Sequence, residues 1–239
     1  IFGTPSYQAI GNALYAAAMH DDMKGVIIDW DSTGGKARGL SAASDPIKYL
    51  TSQGFPVYSY ISGDMQSAAL WIGTAADKIY AAKDSMTGSL GVIAVHTDAT
   101  EMYKKNGLKH TVFRAGENKA PVPPFEPLTE KAEERIISDI TRLHGQFINE
   151  VADNLGQDPS FVRTNYGDGR ELTAEQAMDL QIVDGVVSFE QAVDALLKRI
   201  ERPESSRQTF TGANAMADSK VDPNEAVAAL MTQTGLSAA

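Results

Sequence analysis

The sequence predicts an α/β protein built around a largely parallel sheet. Three β-branched runs, at 25–30, 56–61 and 78–81, alternate with segments in which apolar residues recur at helical spacing. A loop of small residues, Asp31-Ser-Thr-Gly-Gly35, follows the first run and leads into a helix at about 40–53. Because strands that alternate with helices form repeated β-α-β units, we expect most strand pairs to be parallel.

The first predicted element is an amphipathic helix over 6–19. Ile10 and Leu14 recur at helical spacing, and the Ser6 hydroxyl can accept a hydrogen bond as an N-cap. Downstream of the second strand, the small and apolar residues after Ser67 predict a buried helix. Ser67 is therefore expected near the N-terminus of that helix.

Further elements are predicted in the second half of the chain. The runs at 87–95 and 108–114 have the composition of strands. The longest helix should extend over about 129–155, because glutamates in its first turn favour the positive end of the helix dipole. A capping box begins a short helix at Thr173, and a helix at roughly 189–200 closes the domain.

The chain is interpreted as one domain over 1–200 followed by a tail. Its length of 239 residues suits one sizeable α/β domain. The tail, 201–239, begins with a polar stretch that indicates a linker, and Asp222-Pro223 then predicts a short helix to about Met231. Since the chain begins with Ile1 rather than Met, we expect a preceding segment with an N-terminal strand to be missing.

Composition argues against several classes of protein. A net charge of −10 disfavours nucleic-acid binding, because phosphate backbones are bound by basic surfaces. The absence of cysteine excludes disulfides, thiolate metal sites and cysteine nucleophiles, and fits a reducing compartment. No stretch approaches the roughly 20 apolar residues that span a bilayer, so no membrane span is expected in this chain.

Ser67 and Lys119 are the candidate nucleophile and base. A serine hydroxyl needs a neighbouring base, and an uncharged lysine amine can serve if burial lowers its pKa. The apolar residues Phe113, Val122 and Phe125 are expected to supply that burial. From the residues alone, Ser67 could instead bond a carbonyl one turn back, and Lys119 could be a surface ammonium.

The loop that ends in Gly34-Gly35 has two readings. It could be an ordinary turn, or its backbone N–H groups could stabilise an oxyanion. A phosphate loop is rejected, because the required glycine spacing is absent and Ala37 replaces the Ser or Thr that would hold magnesium.

Other catalytic arrangements have less support. The four histidines form no His-Glu-x-x-His motif, and the chain has neither Gly-x-Ser-x-Gly nor Ser-x-x-Lys. A Ser-His-Asp triad stays open, because triads assemble from distant positions. The aspartates are interpreted as caps and solvated side chains, so no metal site is predicted.

Four separated motifs, with a later closing stretch, resemble the signal peptide peptidase A family of Ser-Lys proteases, peptidase family S49, in order and spacing. The resemblance covers roughly residues 6–200. The motifs are Asp31-Ser-Thr-Gly-Gly35, Gln66-Ser-Ala-Ala-Leu-Trp-Ile-Gly-Thr-Ala-Ala-Asp-Lys-Ile-Tyr-Ala81, Thr87-Gly-Ser-Leu-Gly-Val92 and Ala115-Gly-Glu-Asn-Lys-Ala120, and the closing stretch is Thr173-Ala-Glu-Gln-Ala-Met-Asp-Leu-Gln-Ile-Val-Asp-Gly185.

This resemblance implies a role for each site residue. Ser67 would be the nucleophile, Lys119 the general base, and Ser89 would hold the lysine amine in place. Gly35, with Gly34, would donate backbone N–H groups to the oxyanion. The resemblance also implies the Clp protease/crotonase fold, assembly into a homo-oligomeric ring, a peptide or protein substrate and no cofactor.

The sequence departs from the family pattern at two places. The usual Ser-Pro-Gly-Gly is Ser-Thr-Gly-Gly here, which keeps both glycines of the oxyanion loop, and Ala68-Ala69 replaces Gly-Gly after the nucleophile. The Ala68-Ala69 variant, the missing anchor and the single-domain length resemble the phage capsid-assembly and head-maturation proteases, in which a scaffold-like region often follows the protease domain. Capsid, portal or scaffold proteins would be partners, in the host cytoplasm or the procapsid.

Three alternatives are kept beside this branch. One is a signal peptide peptidase, membrane-associated through a removed anchor. Another is a crotonase relative that handles acyl-CoA, against which the Ser67 and Lys119 pair argues. The last is a non-proteolytic scaffold protein.

Overall fold

The computed structural model describes residues 6–116, 119 and 122–201, and these fall into two units. One unit consists of residues 6–90 and 147–201, and the other of residues 91–146. The single domain predicted over 1–200 stays a prediction. The linker and short helix predicted in the tail lie outside the described residues.

The first unit contains six strands and most of the helices. Its strands are β1 (Val26–Ser32), β2 (Val57–Gln66), β3 (Lys78–Ala81), β4 (Met86–Gly88), β5 (Glu171–Thr173) and β6 (Gly185–Val186). Its helices are α1 (Tyr7–Met19), α2 (Ser41–Ser52), α3 (Ala68–Gly73), α6 (Pro159–Asn165), α7 (Ala174–Asp179) and α8 (Phe189–Glu201). The second unit contains α4 (Thr100–Lys105) and the first part of α5 (Glu130–Leu155), whose last residues belong to the first unit.

The sheet is organised around β2. Strand β1 pairs with β2 in parallel, from Val26 opposite Val57 onward. The first half of β2 also pairs in parallel with β3, and its last three residues pair in parallel with β4. Strand β6 extends the parallel arrangement beyond β3, and β5 adds one antiparallel pair to β4. The prediction of an α/β fold with a largely parallel sheet is confirmed.

The buried core lies in the first unit. The first five residues of β2 are all buried, as expected for a parallel strand that is covered on both faces. Helices α2 and α3 contact this sheet, and the end of α5 packs on α3, where the Phe147 and Trp71 ring centroids are 5.3 Å apart. The largest fully buried aliphatic residues of this cluster are Ile47, Leu50, Ile61, Met65, Leu70, Ile72, Leu90, Ile148 and Ile182.

Local signals in the sequence are confirmed at several helix ends. The Ser6 hydroxyl accepts a hydrogen bond from the Ala9 N–H at 3.1 Å. Thr173 and Gln176 form the capping box in both directions, at 3.3 and 3.0 Å. The helices expected at about 40–53, 129–155 and 189–200 form within two residues of those bounds.

Two predicted strands are wrong. Of the run 87–95 only the start belongs to a strand, β4, and residues 108–114 contain no strand. Ile93, Val95 and Phe113 are 89%, 84% and 92% exposed. The β propensity of a residue reflects how its side chain packs on a half-buried sheet. The rest of the first run and the whole of the second have residues typical of strands, but no strand in the described part of the chain pairs with them, so they do not form strands.

Candidate active site

Ser67 is the single residue between β2 and α3. Its backbone has φ +50° and ψ −121°, a conformation that is strained for any residue with a Cβ. Two hydrogen bonds hold it there, because the Ser67 N–H donates to the Gly88 carbonyl at 3.0 Å and the Ser67 carbonyl accepts from the Trp71 N–H at 3.1 Å. The strand and the helix therefore fix a sharp turn at this serine.

The Ser67 hydroxyl is available at this turn. The residue is half-buried, whereas Ala68, Ala69 and Leu70 after it are buried. Among the described residues, the Ser67 Oγ atom has no hydrogen-bond partner, so the interpretation as a serine bonded one turn back is not supported. A hydroxyl with these properties can act as a nucleophile if a base reaches it.

Ser89 lies beside Ser67 across two strands. Gln66, the last residue of β2, lies opposite Gly88, the last residue of β4. Each serine directly follows its strand, so the two serines are neighbours. Ser89 also has positive φ, +51°, and its N–H donates to the Arg170 carbonyl at 2.7 Å. The structure thus brings together two of the predicted site residues.

The glycine loop contacts Ser67 directly. Gly34 has φ +106°, and a Cβ placed there would lie 2.7 Å from the Ser67 Cβ and 2.9 Å from the Gln66 carbonyl oxygen. Real Cβ atoms do not approach other atoms so closely, so only glycine fits. The backbone of the predicted oxyanion loop therefore lies against the predicted nucleophile.

The N–H groups of the two glycines differ in their hydrogen-bond partners. The Gly34 N–H donates to the Ser32 hydroxyl at 3.3 Å. The N–H of the exposed Gly35 has no acceptor in the described part of the chain. Gly35 is therefore the better donor to an oxyanion, and Gly34 supplies the close backbone approach.

An irregularity in β1 directs this loop. The register of β1 and β2 shifts between Trp30, opposite Ile61, and Ser32, opposite Met65. Irregularities of this kind bend a strand and re-aim the residues that follow. This shift and the contacts of Ser32 and Arg170 could not be read from the residue types, because they depend on strand register and backbone atoms.

Lys119 belongs to the second unit and is exposed. Its N–H donates to the Gly116 carbonyl at 3.1 Å, and its carbonyl accepts from the Arg114 Nε at 3.1 Å. The predicted burial by Phe113 is wrong, since that ring is 92% exposed, and Phe125 is only half-buried. Lys119 is therefore in contact with solvent.

Alternative sites find no support among the described residues. They contain no group of three or more His, Asp or Glu residues that could hold a metal ion. In the same part of the chain, no helix has both the length and the apolar character needed to cross a bilayer. In the first unit, His20 is the one histidine of the described residues, and it lies at the C-terminal end of α1.

Comparison with known proteins gives a consistent result. The sequence model of peptidase family S49 matches residues 50–201, more than half of the chain. A protein of Enterococcus faecium assigned as signal peptide peptidase SppA is 26% identical over 176 residues, which cover 74% of this chain and 51% of that protein. A protein of Methanocaldococcus jannaschii assigned as a protease is 28% identical over 186 residues, covering 77% and 59% respectively.

A phage protein is also similar. Capsid assembly protease C of Escherichia phage lambda is 25% identical over 212 residues, which cover 87% of this chain and 47% of that protein. The chain thus spans about half the length of the relatives that it matches.

Proposed function

This chain belongs to peptidase family S49, and on that premise we propose that it is a serine endopeptidase with a Ser67 and Lys119 dyad. Membership of the family confirms the resemblance found in the sequence and the Clp protease/crotonase-like fold that the resemblance implied. The roles of individual residues are part of the proposal.

One observation carries the proposal. In the described part of the chain, the hydroxyl of Ser67 has no hydrogen-bond partner and stands in a strained turn. The turn lies directly against the backbone of a glycine loop, in which the Gly35 N–H has no acceptor among the same residues. A nucleophile and an oxyanion donor must be neighbours for acyl transfer, because the negative charge develops on the atom beside the attacked carbon. The close approach of the glycine loop to Ser67 supports this arrangement.

The proposed mechanism combines Ser67 and the Gly35 N–H with Lys119 as the base. The neutral amine of Lys119 takes the Ser67 proton as the hydroxyl attacks a peptide carbonyl, and the Gly35 N–H donates to the resulting oxyanion. The lysine then returns the proton to the leaving amine, which leaves an acyl-enzyme on Ser67. Water activated by the same lysine hydrolyses the ester, and Ser89 holds the amine in position throughout.

We include assembly into a ring in this proposal. The second unit exposes Ile93, Val95 and Phe113 almost completely, and oligomers commonly bury apolar surface of this kind. Burial in an assembly would also remove water from the exposed Lys119, which a neutral amine at physiological pH requires.

The biological role that we favour is processing of scaffold or capsid proteins during phage head maturation, in the host cytoplasm or the procapsid. The similarity to the lambda capsid assembly protease supports it, because it extends over 87% of this chain, compared with 74% for the SppA protein. Removal of cleaved signal peptides is the second candidate, and the similarity to the SppA protein supports that role.

A cleavage assay tests the proposal. The 239-residue chain, Ser67→Ala and the control Ser62→Ala are incubated with a denatured protein, and products are read by mass spectrometry. Ser62 is an exposed serine on β2, the strand that ends directly before Ser67, so the control matches the substitution. We expect wild-type and Ser62→Ala cleavage, and a loss of at least about 10³-fold in Ser67→Ala.

Three outcomes change the proposal. Cleavage by Ser67→Ala at the wild-type rate would exclude Ser67 as the nucleophile. A folded wild-type chain that cleaves nothing would favour the scaffold alternative. A synthetic signal peptide that is cleaved faster than the denatured protein would favour the second biological role.

A further inference from the structure

Tyr7 joins the first turn of α1 to the glycine loop. Its hydroxyl donates a hydrogen bond to the Lys36 carbonyl at 2.9 Å. Lys36 directly follows Gly35, whose N–H is the proposed oxyanion donor. Among the described residues, no other side chain from outside the loop bonds to residues 33–39.

The tyrosine also occupies the space beside the loop. A Cβ placed on Gly35 would lie 2.8 Å from the Tyr7 Oη, and a Cβ placed on Gly39 would lie 3.8 Å from the Tyr7 Cδ2. The ring therefore lies along the loop from one glycine to the other. At Gly35, the hydroxyl takes the position that a side chain would need.

Tyr7 is itself held in place. The Ser6 cap fixes the start of α1, and a Cβ on Gly11 would lie 2.2 Å from the Ala42 carbonyl oxygen, so α1 packs closely on α2. The Tyr7 ring packs against the buried core, and burial raises the pKa of its phenol. A hydroxyl on a fixed ring can restrain a loop, because little further side-chain freedom is lost.

We propose that Tyr7 is a positioning residue, which holds the Gly34-Gly35 loop so that the Gly35 N–H meets the oxyanion formed at Ser67. This inference rests on the proposed function, since it assigns Tyr7 to the reaction of that site. Tyr7 acts through the loop and does not touch the reacting atoms.

The first test removes only the hydroxyl. Tyr7→Phe keeps the ring and loses one neutral hydrogen bond, so we expect kcat to fall about 3- to 10-fold. KM should stay within about twofold, because the oxyanion exists only after attack on the carbonyl. The matched control is Tyr15→Phe, on the same helix, half-buried and packed on Tyr49, which should leave both constants unchanged.

The second test measures coupling between Tyr7 and Gly35. Gly35→Ala sets a Cβ 2.8 Å from the hydroxyl, and we expect a loss of kcat. In the Tyr7→Phe background the nearest ring atom is 3.9 Å from that Cβ, so the added methyl fits. The double variant should therefore be at least as active as Gly35→Ala alone, whereas multiplied losses would overturn the inference.

The outcomes separate this inference from the proposed function. Activity in Ser67→Ala would contradict the proposed function. If Ser67→Ala is inactive while Tyr7→Phe has wild-type kcat, only the role of Tyr7 is overturned. Equal losses of kcat in Tyr7→Phe and Tyr15→Phe would also overturn it, because they would indicate a general effect of α1 on folding.

Discussion

The two units of this protein differ in how far their apolar side chains are buried. In the first unit, strands and helices bury a continuous cluster, and the serine and the glycine loop stand at its edge. In the second unit, seven large apolar side chains are between 37% and 92% exposed, namely Ile93, Val95, Met102, Leu108, Phe113, Leu128 and Ile137. In the proposed function, the first unit contributes the strained turn at Ser67, and the second contributes Lys119 and exposed apolar surface.

Because of this difference in burial, substitutions in the two units should affect stability and activity differently. A positive φ at Ser67 and at Ser89 persists only where the surroundings are rigid, and the buried part of the first unit provides such surroundings. Changes in the second unit should therefore alter activity with little effect on folding, and changes near Ser67 should alter both. The predictions below test this separation.

The largest effect is expected at Lys119. Lys119→Ala should reduce cleavage of a denatured protein about 10²- to 10⁴-fold, because the general base is lost. Since the residue is exposed, the unfolding temperature should not change. Lys105→Ala, an exposed lysine of the same unit, is the control and should retain activity. Wild-type cleavage by Lys119→Ala would remove the base from the mechanism.

Gly34→Ala should affect activity and stability together. The new Cβ meets Ser67 at 2.7 Å, and φ of +106° is unfavourable for alanine. We expect a loss of about 10²-fold or more in kcat and about 1–3 kcal/mol in the free energy of unfolding. Gly156 also has positive φ, but no atom lies within 4 Å of a Cβ placed there. Gly156→Ala should therefore lower the free energy of unfolding by about 1–2 kcal/mol and keep wild-type activity. Similar activity in the two variants would contradict the close contact at Ser67.

Helix α5 has an isoleucine in each unit, so the same type of substitution can be made in both units. Ile148 is fully buried in the first unit, and Ile137 is 53% exposed in the second. Ile148→Ala should lower the free energy of unfolding by about 2–5 kcal/mol, and Ile137→Ala by about 0.5 kcal/mol or less. Urea unfolding of both variants measures the difference. Equal losses would show that the second unit is also buried in solution.

The smallest effect is expected at Asp168, near the Arg170 carbonyl that binds Ser89. The Arg170 guanidinium holds the pKa of the Asp168 carboxyl at about 2, below its usual value near 3.9. The ionised carboxylate therefore stabilises the fold above about pH 4, and this contribution is lost as the pH falls towards 2.

Asp168→Asn should accordingly be slightly less stable than wild type at pH 7, and the two should converge as the pH is lowered. The effect is small because both side chains are about half-exposed. Urea unfolding between about pH 3 and pH 7 measures it, with Glu171→Gln as an exposed control. A difference that grows at low pH would contradict the ion pair.

Much of the first unit could be predicted because its signals are local or periodic. The apolar run that became β2 is buried on both faces, so its composition alone indicates a strand. The Ser6 cap and the capping box at Thr173 involve residues three positions apart, and such contacts can be recognised in a sequence.

The second unit was harder to predict for a physical reason. The run 108–114 contains Thr111, Val112 and Phe113, which are residues typical of strands, but a strand also needs a neighbour in register. Burial of Lys119 could not be inferred from adjacent apolar residues, since Phe113 is exposed although it is close in sequence. Proximity along the chain does not determine which side chains cover a group.

The candidate site lies between these cases. Its motifs identified Ser67, Ser89 and the two glycines, and the structure brings Gly34 and Ser89 to Ser67. The Gly34 N–H differs from the Gly35 N–H because it donates to the Ser32 hydroxyl, and the identity of the motif residues alone does not reveal this hydrogen bond. The residue identities named the candidate residues, and the backbone conformation and strand register show which of them are in contact.

Labelling with a fluorophosphonate tests the identity of the nucleophile most directly. The probe forms a covalent bond with an activated serine, and peptide mass spectrometry locates the adduct. We predict one adduct, on Ser67, with none in Ser67→Ala and normal labelling in Ser62→Ala. An adduct on Ser89 or another serine, or equal labelling of Ser67→Ala, would contradict the assignment of Ser67 as the nucleophile.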